Sequence, residues 1–279
     1  MSKKIKDILI KYKKILKENN FETYCLDVEV LLMNVTNFNK TNLYLNTEYI
    51  LKDEQFEKFE NFFNRRLKNE PIAYIIGKCE FMGIDFLLNK HTLIPRGDTE
   101  ILVEKAIEII KENNFKNVID IGTGSGAIAI SLAKYCNVNV DALDINIEAL
   151  NMAKKNATLN NVKVNFIQSN LFENVNNKYD VIVSNPPYIK TDVIQTLEKN
   201  VKDYEPILAL DGGKSGLDFY EKITNNVYKF LNNGGYLMFE IGYDQAEQVK
   251  KIMENNNFSN INILKDLAGL DRVIFGNIK

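Results

Sequence analysis

The residues best suited to chemistry in this chain are Asn185, Pro186, Pro187 and Tyr188, which follow the apolar run 181–183. Such a run is typical of a buried parallel strand, and two prolines without N–H groups end its hydrogen-bond ladder. Because the prolines fix φ, the side-chain oxygen of Asn185 and the carbonyl of Pro186 can point the same way as two acceptors. Such a pair suits a planar NH2 group, whose nitrogen it would orient towards an electrophile and stabilise as positive charge develops. Tyr188 can pack on the flat group, although a turn that merely ends a strand is the alternative.

A glycine-rich loop lies upstream, in the stretch Asp120-Ile-Gly-Thr-Gly-Ser-Gly-Ala127. Its glycines allow the backbone close to a ligand, and N–H groups at the start of the following helix would face a carboxylate or phosphate. Asp144, at the end of the next strand, is placed to accept hydrogen bonds from ribose hydroxyls. We therefore expect a nucleotide-like cofactor. Gly122, Gly124 and Ala127 also satisfy the dinucleotide pattern, so an NAD-dependent oxidoreductase stays open as an alternative.

Strands and helices alternate beyond residue 91, which predicts an α/β domain with a parallel sheet and helices on both faces. The predicted strands lie near 118–121, 138–143, 164–167, 181–184, 236–241, 261–264 and 272–275. Helices are predicted to start near Ser125, Asn146, Asp192, Leu217 and Asp244. Asp98 or Thr99 is expected to cap the helix that opens this domain. Since the glycine-rich loop and the Asn-Pro-Pro-Tyr turn both follow strands, we expect them to meet at the carboxyl edge of the sheet.

The preceding part of the chain has the pattern of a small helical bundle. Its first helix carries one apolar stripe at helical spacing, made of Ile5, Ile8, Leu9, Tyr12, Ile15 and Leu16. A second helix is predicted over 27–34, and a third starts with Asp53 as its cap and ends before Pro71. Short β-like runs at 74–76 and 84–88 predict a hairpin. The predicted domains are therefore a helical domain over 1–72, a β-hairpin linker over 73–90 and an α/β domain over 91–279.

The composition and charge of the chain argue against several classes of function. No apolar run reaches the length of a membrane span and the first residues lack a signal-peptide core, so we expect a cytoplasmic monomer without a membrane partner. A net charge of −2 argues against nucleic acid as the direct substrate. Cys25, Cys79 and Cys136 lack metal-ligand spacing, and we expect free thiols and no metal site. His91, the only histidine, is interpreted as a linker residue.

The chain resembles, over essentially its whole length, the peptide chain release factor glutamine methyltransferases of the HemK type. The matching stretches are Ala73-Tyr74, Glu80-Phe81, Ile94-Pro-Arg96, Asp98-Thr-Glu100, Asp120 to Ala127, Asn185 to Tyr188, Glu205-Pro206, Ala209-Leu210, Gly216-Leu-Asp218, Tyr220, Glu240-Ile-Gly242 and Asp271-Arg272. The resemblance implies a helical domain that docks the release factor, a hinge hairpin, and a seven-stranded Rossmann-like class I methyltransferase domain. It also implies S-adenosylmethionine as the cofactor and, as the methylated atom, the side-chain amide nitrogen of glutamine in the factor's Gly-Gly-Gln motif.

The resemblance also implies a role for each site residue. The loop residues Gly122, Thr123, Gly124, Ser125 and Gly126 would hold the methionine end of the cofactor, while Asp144 would hold the ribose. Asn170 and Leu171 would hold the adenine, and Asn185, Pro186, Pro187 and Tyr188 would hold the glutamine and carry the catalysis, with Asn185 also near the cofactor.

The chain departs from the family pattern at Gly97 instead of proline, at Asn170 instead of aspartate and at Leu171 instead of an aromatic residue. Apolar contact rather than stacking is therefore expected from Leu171. We expect the side chains of Arg96, Thr99 and Glu100 either to contact the cofactor or to cap a helix and form ion pairs.

Other functions remain open on the sequence alone. A nucleic-acid methyltransferase acting on an adenine or guanine amine would use the same Asn-Pro-Pro-Tyr turn, with its target base flipped or single-stranded. Another alternative is a catalytically silent protein that binds release factors without consuming the cofactor. The oxidoreductase has no evident use for the Asn-Pro-Pro-Tyr turn.

Overall fold

In a computed structural model, which describes residues 2–279, the chain divides into two compact units. One unit contains the residues up to Gly77 together with Lys199–Tyr204, and the other contains Lys78–Glu198 together with Glu205–Lys279. The chain therefore leaves the second unit after Glu198 and returns to it at Glu205. Within residues 2–279, no helix is long and apolar enough to cross a membrane.

The first unit is helical. Its helices are α1 (Ile5–Glu18), α2 (Tyr24–Thr36), α3 (Lys40–Leu45), α4 (Asp53–Leu67), α5 (Ile72–Ile76) and the short α9 (Lys199–Lys202). The apolar stripe of α1 is buried as its spacing predicts, except for Ile15, which is partly exposed. The Tyr12 ring contacts Phe59 and Phe63 edge-on at centroid distances of 4.9 and 4.6 Å. A buried ion pair of 2.7 Å between Arg66 and Asp27 joins α4 to α2.

The predicted strand over 74–76 is wrong, because these residues belong to helix α5. Pro71 precedes this helix and Gly77 ends it with φ of 76°, so the pair acts as helix start and stop signals. The hairpin lies instead at β1 (Lys78–Phe81) and β2 (Ile84–Leu87).

Two predicted caps are also wrong. Asp53 is the first residue of α4, whose cap position is Lys52, and the backbone N–H of Lys52 donates to Gln55 Oε1 at 3.0 Å. Arg96 takes the cap position of the helix Gly97–Asn113, called α6, so Asp98 and Thr99 lie within its first turn. Propensity alone does not separate the cap position from the first turn, since acidic residues favour both.

The second unit is built on a seven-stranded sheet. Its strands are β3 (Asn117–Ile121), β4 (Asn139–Asp144), β5 (Asn165–Gln168), β6 (Tyr179–Ser184), β7 (Leu231–Glu240), β8 (Ser259–Lys265) and β9 (Asp271–Asn277). They lie in the order β5-β4-β3-β6-β7-β9-β8, parallel except for β9, which is antiparallel to both neighbours. The predicted α/β class and the number of strands are confirmed.

Helices pack on this sheet over two apolar clusters. The helices are α6 (Gly97–Asn113), α7 (Ala127–Tyr135), α8 (Ile147–Leu159), α10 (Asp218–Asn226) and α11 (Ala246–Asn255). The helix predicted near Asp192 is wrong, because only the 3-10 turn Ile194–Thr196 forms there. The Thr196 hydroxyl donates to the Val193 carbonyl at 2.7 Å, a local bond that competes with helix propagation.

Within the second unit, a buried amide on α8 holds the β1–β2 hairpin. Asn156 accepts from the N–H of Leu87 at 2.7 Å and donates to the Leu87 carbonyl at 3.0 Å and the Ser125 carbonyl at 2.9 Å. Asn156 is fully buried, so its hydrogen bonds are shielded from water. One side chain thus links the hairpin, α8 and the glycine-rich loop.

Candidate functional site

A cavity of about 340 Å³ lies at the carboxyl ends of β4, β3 and β6, which are adjacent in the sheet. Of the predicted site residues, those that line it are Gly122, Gly124, Asp144, Asn170, Leu171, Asn185, Pro186 and Pro187. Thr123, Ser125, Gly126 and Tyr188 do not line it, and Gly126 is buried. The size and mixed polar and apolar lining are those of a small-molecule site.

The glycine-rich loop turns sharply because three of its residues adopt the left-handed conformation. Gly122, Gly124 and Gly126 have φ of 75°, 56° and 84°. A Cβ at Gly122 or Gly124 would meet open space, whereas one at Gly126 would lie 2.8 Å from Ile130 Cδ1. The first two glycines therefore serve the turn on the cavity side, and the third serves the packing of α7 on α8.

Asp144 connects this loop to the end of β4. Its Oδ2 accepts from the N–H of Gly124 and its Oδ1 accepts from the N–H of Asn146, both at 2.8 Å. Burial raises the pKa of Asp144, while these backbone bonds lower it. Each carboxylate oxygen keeps a further acceptor position, so Asp144 can accept hydroxyl donors from a ligand in the cavity.

Asp120 lies behind the loop and is fully buried. Its Oδ2 accepts from the Thr123 hydroxyl at 2.6 Å and from the N–H of Ala129 at 3.3 Å, while Oδ1 has no partner within residues 2–279. Burial raises the pKa of Asp120 to about 7. Thr123, a predicted cofactor residue, thus uses its side chain to hold the loop on Asp120.

Asn170 and Leu171 form another part of the cavity wall after β5. Asn170 donates to Glu173 Oε1 at 2.8 Å, and Leu171 adopts a left-handed φ of 49°. Leu171 packs against the apolar cluster that contains Phe172 and Ile223, so it offers an apolar contact surface.

The Asn185 amide faces both the cavity and α6. Its Nδ2 donates to Thr99 Oγ1 at 3.3 Å, and the Thr99 hydroxyl donates to Glu240 Oε2 at 2.6 Å. Among residues 2–279, neither Asn185 Oδ1 nor the Pro186 carbonyl accepts a hydrogen bond. Two acceptors on the cavity wall are therefore available to a ligand.

Tyr188 lies at the other end of the turn. Its hydroxyl donates to Glu240 Oε1 at 3.3 Å and its backbone carbonyl accepts from Gln245 Nε2 at 2.9 Å. Burial, together with the charge of Glu240, raises the pKa of Tyr188 well above its ordinary value, so the phenol stays neutral.

Several cavity residues are not among the predicted site residues. They are His91, Leu93, Pro206, Leu208, Phe219 and Lys222, among others. The interpretation of His91 as a plain linker residue is therefore incomplete, since it lines the cavity. Arg96 is paired with Glu205, and Glu100 Oε1 accepts from the N–H of Met82 at 2.6 Å, so both have structural partners.

Comparison with known proteins identifies the family. The sequence family described as "PrmC N-terminal domain" matches residues 7–77, and "Methyltransferase small domain" matches residues 97–213. A release factor glutamine methyltransferase from Clostridium acetobutylicum is 46% identical over 97% of this chain and 97% of its own length. The chain belongs to the release factor glutamine methyltransferase family.

Another release factor glutamine methyltransferase, from Fusobacterium nucleatum, is 44% identical over 96% of this chain and 77% of its own length. The crystal structure of a methyltransferase from Pyrococcus furiosus shares the fold, with a TM-score of 0.54 and 22% identity over 78% of this chain and 98% of that one. The resemblance read from the sequence is thereby confirmed, and membership in this methyltransferase family excludes the oxidoreductase alternative.

Proposed function

We propose that this protein transfers a methyl group from S-adenosylmethionine to the side-chain amide nitrogen of glutamine in the Gly-Gly-Gln motif of peptide chain release factors. Membership in the release factor glutamine methyltransferase family supports the substrate. The observation that carries the reaction is the pair of unused acceptors, Asn185 Oδ1 and the Pro186 carbonyl, on the wall of the cavity. Together they match the two hydrogens of a primary amide.

The cavity residues fit the proposed cofactor. Gly122 and Gly124 leave open space beside the loop, and Asp144 keeps acceptor positions for ribose hydroxyls. Asn170 and Leu171 offer a polar and an apolar contact to a purine. Thr123, Ser125 and Gly126 support the loop from below, so their proposed cofactor role is through its backbone. When bound, S-adenosylmethionine supplies an electrophilic methyl group on a sulfonium.

The role of the Asn-Pro-Pro-Tyr turn follows from the chemistry of an amide nitrogen. That nitrogen is a poor nucleophile because its lone pair is delocalised into the carbonyl. Acceptors at Asn185 and Pro186 align it for in-line attack and stabilise the positive charge that develops on it. Pro187 stiffens the turn, and Tyr188, whose side chain does not line the cavity, holds the far end of the turn through its hydrogen bond to Glu240. The excess proton then passes to water.

The proposed division of labour follows the predicted domains. Residues 1–72 dock the release factor, 73–90 serve as a linker and 91–279 bind the cofactor and transfer the methyl group. The match of residues 7–77 to the N-terminal domain of the family supports the first assignment. Because the proposed substrate is a translation factor, the proposed place of action is the cytoplasm, with the protein acting as a monomer.

The test is mass spectrometry of a release factor incubated with the protein and S-adenosylmethionine carrying an isotope-labelled methyl group. The expected result is one labelled methyl on the glutamine of the Gly-Gly-Gln motif, and none on a factor whose motif glutamine is replaced by glutamate. Single-stranded DNA and RNA are incubated in parallel. Label on a base amine, with none on the factor, would overturn the proposed substrate in favour of nucleic acid.

A further inference from the structure

The proposed chemistry requires one of the two possible orientations of the Asn185 side-chain amide. An amide has an acceptor oxygen on one side and a donor NH2 on the other, and the two have nearly the same shape. A half-turn about the Cβ–Cγ bond would replace the acceptor that faces the cavity by a donor. A donor there would repel the substrate NH2 group instead of binding it, so the turn alone does not define a working site.

Thr99 removes this ambiguity. It is 4% exposed and its single hydroxyl hydrogen is donated to Glu240 Oε2 at 2.6 Å. With its hydrogen committed, the Thr99 oxygen can only accept from any other partner. Its other partner is the Asn185 amide, at 3.3 Å, which must therefore present Nδ2 to Thr99. Oδ1 is then left for the cavity.

Glu240 gives this chain of bonds its direction. An ionised carboxylate has no hydrogen to donate, so Thr99 must donate to it rather than accept from it. Glu240 is 2% exposed and lies at the end of β7, where the Tyr188 hydroxyl donates to its second oxygen. Burial raises the pKa of Glu240, whereas the hydrogen bonds from Thr99 and Tyr188 and the positive charge of Arg272 lower it. Each of its two oxygens accepts a hydroxyl hydrogen bond, which is the pattern of a carboxylate.

We propose that Glu240, acting through the Thr99 hydroxyl, sets the orientation of the Asn185 amide and so keeps an acceptor facing the substrate. Thr99 and Glu240 are positioning residues, since neither lines the cavity. The inference rests on the proposed function for its meaning in catalysis, but the orientation itself is a property of the protein without substrate. The same carboxylate holds Tyr188, so both ends of the Asn-Pro-Pro-Tyr turn depend on Glu240.

The kinetic test compares Thr99→Val, which keeps the shape and removes the hydroxyl, with Thr99→Ser, which keeps the hydroxyl. Thr224→Val is the matched control, because Thr224 is also fully buried in this unit and its hydroxyl has no partner within residues 2–279. Loss of the hydrogen bond that holds the Asn185 amide in this orientation predicts a fall of about tenfold in single-turnover rate for Thr99→Val, with the cofactor KM changed less than twofold. Thr99→Ser recovers most of the rate, and Glu240→Gln falls like Thr99→Val. A wild-type rate in Thr99→Val, or an equal loss in Thr99→Ser, would overturn the proposal.

A second measurement does not depend on turnover. In protein labelled with 15N-asparagine, the side-chain NH2 signals of Asn185 are assigned by their loss in Asn185→Ala. We expect slow solvent exchange of the hydrogen bonded to Thr99, faster exchange in Thr99→Val, and slow exchange in Thr99→Ser and Thr224→Val. Unchanged exchange in Thr99→Val would overturn the orientation mechanism. If the release factor gains no methyl group in the wild type while the NMR result holds, the proposed function fails and the orientation mechanism stands.

Discussion

Asn185 is the residue whose loss most directly tests the site. Its Oδ1 is an acceptor on the cavity wall, whereas the fold of the turn is set by Pro186, Pro187 and the buried strand β6. We expect Asn185→Ala to lose about 100- to 1,000-fold in single-turnover rate, by analogy with the removal of one oxyanion-hole donor. The unfolding temperature should stay close to that of the wild type.

The companion measurement is calorimetric titration of S-adenosylmethionine. Cofactor affinity should change only a few fold, because the other cavity residues are unchanged in this variant. A mutant with a wild-type single-turnover rate would contradict the role of Asn185, and one that no longer binds cofactor would mean that Asn185 holds the cofactor rather than the substrate.

The sequence predicted the site where its residues are contiguous and missed the contacts that join distant segments. Asn185, the two prolines and the first two glycines of the loop are recognisable by type and spacing, and the structure places them on one cavity. Glu240 and Thr99 are 141 residues apart and meet only because α6 lies beside the end of β7. The sequence alone indicates a cap or a cofactor contact for Thr99, and no local pattern predicts the long-range hydrogen bond that it makes.

At the scale of elements, the sequence predicts strands correctly where an apolar run ends at a loop. It predicts wrongly where a short segment has residues that suit both a helix and a strand. The buried strands β3, β4 and β6 are apolar runs that end at loops, and they were located to within two residues. The five residues of α5 are rich in isoleucine, which favours strands, yet Pro71 and Gly77 make them one helical turn. The antiparallel β9 could not be told from a parallel strand, because pairing direction leaves little trace in composition.

A loop after Asp211 supports the Asn-Pro-Pro-Tyr turn through Gly212. A Cβ at this glycine would lie 2.7 Å from Tyr188 Cα and 2.8 Å from the Pro187 carbonyl oxygen. Since both atoms are backbone, Gly212→Ala must displace the turn. We expect at least a tenfold fall in methyl transfer to the release factor.

The matched control for Gly212→Ala is Gly97→Ala, where the added Cβ meets nothing within 4 Å. Its transfer rate should equal that of the wild type. Equal activity of the two variants would show that the contact between this loop and the turn has no role in catalysis.

Helix α6 offers a stabilising substitution at its first residue. Gly97 occupies that position, and Arg96 before it has φ of −105° and ψ of 146°, a conformation that the residue before a proline prefers. The N–H of Gly97 donates no hydrogen bond within residues 2–279, so proline removes none. We expect Gly97→Pro to raise the free energy of unfolding by about 0.5 to 1 kcal/mol, chiefly by restricting the unfolded chain.

Chemical denaturation of Gly97→Pro, with Gly97→Ala as the comparison, measures this effect. The proline variant should show a higher midpoint than the alanine variant, with an unchanged slope. A lower midpoint would mean that the first turn of α6 does not tolerate the proline ring.

At the scale of the whole molecule, the chain buries several carboxyl groups near the cavity, and this affects how its stability responds to pH. Burial raises the pKa of each of Asp120, Asp144, Glu205 and Glu240. Carboxyls with the opposite shift, such as Glu48 with a pKa of about 2, finish titrating at more acidic pH. Between pH 5 and pH 8, Asp120, whose pKa is raised to about 7, therefore sets the trend.

The sign follows from proton binding. Between the unfolded pKa of an aspartate, about 4, and the folded pKa of about 7 for Asp120, the folded protein holds a proton that the unfolded chain has released. Its stabilising contribution is therefore complete below pH 4 and is lost as pH rises through 7. From pH 5 to pH 8, this group alone lowers the free energy of unfolding by roughly 2 to 3 kcal/mol.

Thermal unfolding at pH 5.5 and pH 8.0, at equal ionic strength and without cofactor, is the measurement. The wild type should unfold several degrees higher at pH 5.5, since 1 kcal/mol shifts the unfolding temperature by about 2 to 4 °C in a chain of this size. Asp120→Asn has no proton to lose, and its amide oxygen can still accept from Thr123, so its unfolding temperature should depend less on pH. A wild type that is more stable at pH 8.0 would contradict the sign of the shift. A variant that keeps the full wild-type dependence would assign the titration to the other buried carboxyls and leave Asp120 ionised in the folded protein.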